Sequence, residues 1–354
     1  MSLINLPGLI DPHVHLRDPG QTEKEDFYAG TCAAIAGGYT TIIDMPNNKF
    51  PITTLERLEE KISIAKRKIA CDVGFYFGSA GDNLDEFEKA KDKVLGLKLY
   101  LNQTTGNLLI FKNLLEKTFY AWSKSCSKPI LVHAEDKSVE DLINIVKKIN
   151  TPTHFCHISL KSELKMIIDA KEKGIPVTCG VTPHHLFLTE KDVKILGPFG
   201  QMKPPLSSIK DQDFLWKYLR YIDVVESDHA PHTIDEKRGK GTVFGVPGLE
   251  TTLPLLLTAV SENRLIFDDI IRLCHTNPSK IFGIKTDSQT KIEIDLQKSY
   301  IINRKSLFTK CGWSPFEGWK LKGKVKRVFI RGEKVFEDEK ILAMLGSGET
   351  IMNT

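Results

Sequence analysis

The residues Ile10-Asp11-Pro12-His13-Val14-His15-Leu16-Arg17 could do chemistry as a unit. Side chains two apart on a strand share a face, so His13 and His15 can grip one metal ion together, and Arg17 extends that face. Imidazole nitrogen suits borderline metals such as zinc, at about 2.0–2.1 Å. A guanidinium can hold a carboxylate in a two-pronged clamp. One short segment therefore offers a metal site beside an anion site. A His-x-His pair also occurs on ordinary strands, so the reading depends on further residues of ligand type.

Those residues follow. Lys98 lies in Gly96-Leu-Lys-Leu-Tyr100, His133 in Leu131-Val-His-Ala-Glu135, His157 after Phe155-Cys156, and Asp228 in Ser227-Asp-His-Ala-Pro-His232. Taken singly, His133 or His157 would fit a core position as well as a ligand role. Six suitable residues at the ends of short apolar runs do not arise independently. Lys98 is the odd member, because an ammonium has no lone pair to give. A neutral amine that captures carbon dioxide becomes an anionic carbamate, whose two oxygens can bridge metals about 3.5–4 Å apart. The alternative for Lys98 is a buried salt bridge to a barrel carboxylate.

Such residues need a scaffold that gathers strand ends. Short apolar runs predict strands over residues 9–16, 40–45, 72–77, 96–101, 129–132, 153–157, 176–179 and 222–226. Amphipathic stretches predict helices over 24–36, 54–68, 85–93, 113–123, 138–148, 162–173 and 211–221. Eight strands with intervening helices predict an α/β fold, a parallel sheet closed as a (β/α)8 barrel. Near-continuous apolar strands suit a sheet covered on both faces, and active groups in such barrels sit at the C-terminal strand ends. A doubly wound open sheet is the alternative, but no Gly-x-Gly-x-x-Gly turn follows the first strand. The barrel is expected to span residues 1–285. From 286 to 354 the pattern alternates, at residues 291–296, 324–330 and 334–336, which predicts a small β appendage completed by the N-terminal residues. Tryptophans read as packing residues, with Trp313 seating the tail on the barrel.

The 354 residues are 41% hydrophobic and 27% charged, which argues against disorder. A net charge of +4 without any basic block gives no reason to expect nucleic acid and suits an acidic small-molecule substrate. Seven cysteines form no Cys-x-x-Cys pair and no disulfide framework, as expected in a reducing compartment. No signal-peptide pattern and no apolar run of roughly 18 residues is visible. A cytoplasmic protein with no membrane contact is the expectation.

With these motifs in hand, the chain resembles the amidohydrolase superfamily and, within it, the dihydroorotases, most of all the form inside the animal multifunctional pyrimidine-synthesis protein. The resemblance is carried by Pro7-Gly-Leu-Ile-Asp-Pro-His-Val-His-Leu-Arg-Asp-Pro-Gly20, Met45-Pro-Asn47, Gly96-Leu-Lys-Leu-Tyr-Leu-Asn102 and Val132-His-Ala-Glu135. It continues through Pro183-His-His-Leu-Phe187, Ser227-Asp-His-Ala-Pro-His-Thr233 and Pro247-Gly-Leu-Glu-Thr251 to about Gly283, and resumes at Trp313-Ser-Pro-Phe-Glu-Gly318. His-x-His alone marks the superfamily; His-Leu-Arg with Asp-Pro-Gly and Met-Pro-Asn is much narrower.

The resemblance implies reversible cyclisation of N-carbamoyl-L-aspartate to L-dihydroorotate with loss of water, in pyrimidine biosynthesis. It implies two zinc ions, one held by His13, His15 and Asp228 and the other by His133 and His157, bridged by N6-carboxylated Lys98. Asp228 would be the catalytic proton carrier. Arg17, Asn47 and His232 would bind the substrate carboxylate, with Thr104 on a mobile loop, 102–106, and Lys203 as further contacts. Lys203 and Ser207 depart from the family's usual arginines, and a lysine lacks the planar fork. Cys156 is present where some relatives hold a third zinc, but Gly180 replaces a nearby glutamate, so two metals are expected. His184 and His185 read equally as loop hydrogen bonders; His154, His229 and His275 read as scaffold. A homodimer is implied, and association with carbamoyltransferase partners is conceivable without any residue arguing for it. Two rivals remain: another cyclic amidohydrolase such as allantoinase or dihydropyrimidinase, and a non-catalytic scaffold.

Overall fold

In the computed structural model, which describes residues 3–104 and 106–352, two sheets organise the chain. The N-terminal strand β1 (Ile4–Pro7) is followed by β2 (Leu9–Val14), β3 (Tyr39–Asp44), β4 (Asp72–Gly78), β5 (Gly96–Tyr100) and β6 (Ile130–His133). Then come β7 (Thr153–Phe155), β8 (Val177–Val181) and β9 (Val224–Val225). Strands β2 to β9 form one eight-stranded sheet in sequence order, every pairing parallel. A parallel bridge between Val14 and His229 and the bond from the His15 N–H to the His229 carbonyl, 2.8 Å, join its two edges. The expected (β/α)8 barrel is what forms.

Strand ends differ from the sequence expectation where the site begins. The sixth run stops at Phe155 and the eighth covers only Val224–Val225, so His157 and Asp228 follow their strands. Both have positive φ, 38° and 44°, a region that parallel ladders cannot accommodate. The first helix starts at Phe27 rather than residue 24, because Asp26 caps it by accepting the Ala29 N–H at 2.9 Å. One helix, Leu249–Ser261, was not expected: nine of its residues are buried and Pro254, ordinarily a helix breaker, lies inside it.

The second sheet is antiparallel, in the order β1, β10 (Lys291–Ile301), β11 (Lys320–Ile330), β12 (Glu333–Glu337), β13 (Lys340–Ile341). Its first strand comes from the N-terminus: Leu6 pairs with Ile292. Leu6, Ile292, Ile294, Val325, Val328 and Phe336 share one continuous core with barrel residues such as Leu9, Ala33 and Leu253. No helix among the described residues is long and apolar enough to cross a membrane. All seven cysteines are free.

Trp122 shows what the barrel's outer layer contributes. It is fully buried in the helix Lys112–Ser125, sets its ring edge-on to Phe87 at 5.3 Å, and donates Nε1–H to the Lys128 carbonyl at 2.9 Å. Trp122→Ala is expected to cost about 3–5 kcal/mol, read as a lowered urea midpoint at unchanged slope.

Candidate metal centre and its pocket

Six ligand-type residues from five strands meet at the C-terminal mouth of the barrel. His13 is the penultimate residue of β2 and His15 lies just beyond the strand; both are buried. Their Nε2 atoms approach the same Asp228 Oδ1, at 3.4 and 3.1 Å. His15 also turns Nδ1 to Asn47 Oδ1 at 2.7 Å. Across the mouth, His133 Nδ1 and His157 Nε2 are 3.1 Å apart, and the His157 ring lies 5.0 Å from that of His13. Burial holds all four imidazoles below their ordinary pKa, His13 at about 4 with Lys98 adding to the effect. They are therefore neutral at pH 7, the state a metal requires of a histidine. Burial raises the Asp228 carboxyl above its usual range.

Lys98 is fully buried in β5, with Nζ 3.2 Å from Cys156 Sγ and 4.9 Å from the Tyr100 ring centre. Among the described residues no carboxylate stands within ion-pair distance of it, so the salt-bridge alternative is not what the fold builds. An uncompensated ammonium in such a place is costly. The donors fit a divalent metal: His13, His15 and Asp228 offer atoms within 4.8 Å of one another, all buried. Nδ1 of His157 has no hydrogen-bond partner among the described residues. Imidazole and carboxylate together suit zinc and its first-row neighbours.

Beside this cluster lies a small cavity of about 30 Å³, walled by His13, His15, Arg17, Asn47, Tyr100 and Thr104, and also by Lys203, Asp228 and Phe244. Arg17 is buried at φ 60° and donates Nε–H to the Pro231 carbonyl at 3.2 Å. Positive φ at Arg17, His157 and Asp228 marks strain concentrated at one mouth. His232 does not face the cavity. It sits behind Arg17, with Nε2 3.0 Å from the Phe244 carbonyl and 3.4 Å from Arg17 Nη2. Burial, then the Arg17 charge, lower its pKa to about 2. Trp313 donates its indole N–H to the His232 carbonyl at 2.7 Å, tying the C-terminal segment to this spot. Lys203 reaches over the Phe244 ring, 5.5 Å from its centre. Thr104 stands on the wall; Thr105, its neighbour in the expected substrate loop, lies outside the described residues.

Three acidic residues near the cluster had been given no role from the sequence. Glu135 Oε1 is 3.0 Å from His133 Nε2. Asp11 accepts the N–H groups of His13 and Ser227, at 3.1 and 3.2 Å. Glu226 lies under His13 and His154; burial would raise its pKa, yet these two rings hold it below the usual carboxylate range. With Cys156 and His154 it places ligand-type atoms within 4.8 Å of one another. Three of the remaining histidines have scaffold partners: His185 reaches Thr182 and the Pro204 carbonyl, His229 reaches Glu25, and His275 the Gly8 carbonyl, whereas the buried His184 Nε2 has no hydrogen-bond partner among the described residues. A larger cavity, about 420 Å³, opens at the opposite end of the barrel between Thr40, Asp72, Arg331 and the tail at Glu349–Met352. It holds none of the clustered donors.

Comparison with known proteins gives the chain's relatives. The sequence profile of the Amidohydrolase family matches residues 4–335. The chain is 44% identical to the multifunctional protein CAD of Squalus acanthias over 353 residues, 99% of this chain and 16% of that protein. It therefore spans about one sixth of the length of that relative. It is 37% identical to the dihydroorotase of Pyrococcus furiosus over 359 residues, 95% of this chain and 82% of the relative. In three dimensions it is similar to the L-hydantoinase (dihydropyrimidinase) of Arthrobacter aurescens. The TM-score is 0.95 at 25% identity, over 99% of this chain and 89% of that one.

Proposed function

The chain belongs to the amidohydrolase family, and we propose that it is a metal-dependent dihydroorotase, a cyclic amide hydrolase interconverting L-dihydroorotate and N-carbamoyl-L-aspartate. The observation that carries the substrate choice is Arg17, a buried guanidinium on the wall of the cavity that also exposes His13, His15 and Asp228. A neutral ring such as hydantoin gives that charge nothing to pair with; the carboxylate of dihydroorotate does. The 37% identity to the Pyrococcus dihydroorotase, across most of both chains, supports the same choice.

In this reading His13, His15 and Asp228 would hold one zinc and His133 and His157 the other, with Lys98, carboxylated on Nζ, as a ligand for both. Metals bound there would supply Lewis acidity toward water and the amide carbonyl. The chain's own residues do the rest. Arg17 binds the substrate carboxylate, with Asn47 oriented by His15 beside it and His232 held behind it. Thr104 and Lys203 complete the wall beside it. In hydrolysis a carboxylate oxygen of Asp228 takes a proton from water as the new C–O bond forms. It then delivers the proton to the ring nitrogen as the C–N bond breaks. In synthesis the same oxygen removes the ureido proton. A homodimer and association with a carbamoyltransferase are the finer expectations; the multifunctional relative supports the second.

Turnover of the purified, zinc-loaded chain tests this directly, with dihydrouracil, hydantoin and allantoin as controls. Activity confined to dihydroorotate and carbamoyl aspartate is the expected result. Activity on the neutral rings alone would make the chain a hydantoinase-like enzyme, and bound zinc without any turnover would make it a scaffold. Arg17→Ala should weaken carbamoyl aspartate binding by about 1.5–3 kcal/mol, the worth of a charge-assisted contact, seen as a raised KM. An unchanged KM would remove Arg17 from the site.

A further inference from the structure

One carboxylate that takes no part in the mechanism above touches both halves of the donor cluster. Glu226 follows β9 and is fully buried. Its Oε1 accepts the backbone N–H of His157 at 2.5 Å. Its Oε2 lies 3.4 Å from Nδ1 of His13 and 3.5 Å from Nε2 of His154, ion-pair distances at which none of the three atoms completes a hydrogen bond among the described residues. The His13 ring is thus held between two carboxylates, Glu226 at Nδ1 and Asp228 at Nε2.

The fold makes room for this contact. Gly180 in β8 has no positive φ, so conformation does not demand glycine there. Space does: a Cβ at 180 would stand 2.4 Å from Glu226 Oε1 and 2.6 Å from its carboxyl carbon. Buried backbone of β8 and the carboxylate cannot both yield, so any side chain at 180 must displace Glu226.

We propose that Glu226 is a positioning residue for both halves of the metal centre, in a place cleared by Gly180. Its Oε2 keeps the His13 proton on Nδ1 and so leaves the Nε2 lone pair facing the metal pocket. Its Oε1 holds the main chain of His157, whose φ of 38° is one that an unrestrained histidine rarely adopts. Carboxylates behind metal-bound histidines set the ring's tautomer and orientation, and removing them typically weakens metal binding about 10–100-fold. The inference rests on the metal reading of the mouth.

The test uses the full chain, stripped with a chelator and titrated with buffered zinc, as wild type, Glu226→Gln and Gly180→Ala. Bound zinc per chain is measured by atomic absorption, and near-ultraviolet circular dichroism checks the fold. The expected result is that both variants reach the wild-type stoichiometry at about 10–100-fold higher free zinc. At saturating zinc their KM for dihydroorotate should match wild type, since Glu226 stands behind His13 and His157 and does not itself line the cavity. Wild type that takes up no zinc would overturn the metal reading itself. Variant curves that overlay a zinc-binding wild type would overturn the positioning role alone. Loss of one whole equivalent in Glu226→Gln, with the others bound normally, would also overturn it, making Glu226 a ligand. Should Glu226→Gln fail to fold, Gly180→Ala decides on the same readout.

Discussion

Asp228→Asn is expected to retain zinc and to lose turnover by about 10²–10⁴-fold, the usual worth of a positioned acid–base group. The carboxylate stands where two demands meet. Its Oδ1 lies 3.1 Å from His15 Nε2 and 3.4 Å from His13 Nε2, within reach of the same ion, and its residue lines the cavity beside Arg17. An asparagine offers an oxygen of similar placement, so metal content should fall little. It offers no site that can take and return a proton at neutral pH. The positive φ of 44° adds a check, because asparagine tolerates that region well and the backbone should keep its course. Zinc analysis with steady-state assays in both directions separates the outcomes. Wild-type rates with full zinc would remove Asp228 from proton transfer; lost zinc would mean that its charge, rather than its basicity, is what the centre needs.

Removing carbon dioxide should be almost as damaging as removing metal. Lys98 is fully buried, with Cys156 and Tyr100 as its nearest polar and aromatic neighbours and no carboxylate within ion-pair distance among the described residues. A buried ammonium left this way is unfavourable, whereas a carbamate on the same nitrogen would be neutralised by metals on either side. Chelator-stripped protein given zinc in carbon-dioxide-free buffer is therefore expected to recover little activity, and to recover it when bicarbonate is added. Lys98→Met should not respond to bicarbonate at all. Full recovery with zinc alone would mean that Lys98 acts as a plain amine. The two variants probe different parts of one site, so their losses will not add.

Both predictions start from residues that could be picked out by local pattern. His13 and His15 are recognisable because strand period places i and i+2 on one face, and Lys98, His133 and His157 because each ends an apolar run. Glu226 was not recognisable. It lies 69 residues from the His157 N–H it accepts, and no local spacing reports a contact of that length. His232 was expected to bind the substrate carboxylate; the chain sets it behind Arg17, against the Phe244 carbonyl, a placement no local spacing reports. The expected strand over residues 153–157 ended two residues early because backbone at φ 38° leaves the ladder. The buried helix Leu249–Ser261 carries Pro254 in its interior, a residue that reads against a helix.

What the sequence alone determined is therefore the inventory and its coarse placement: an alternating β/α scaffold, imidazoles and one lysine at strand ends, and a guanidinium two residues past His15. Those follow from periodicity, which is a local property of the chain. Only the tertiary structure decided which nitrogen of His13 faces which carboxylate. It also decided that Gly180 must stay without a side chain, that Trp313 holds the His232 carbonyl, and that the first strand of the second sheet comes from the N-terminus. These are contacts between segments tens to hundreds of residues apart, and they exist only once the barrel closes and brings strand ends within hydrogen-bonding distance.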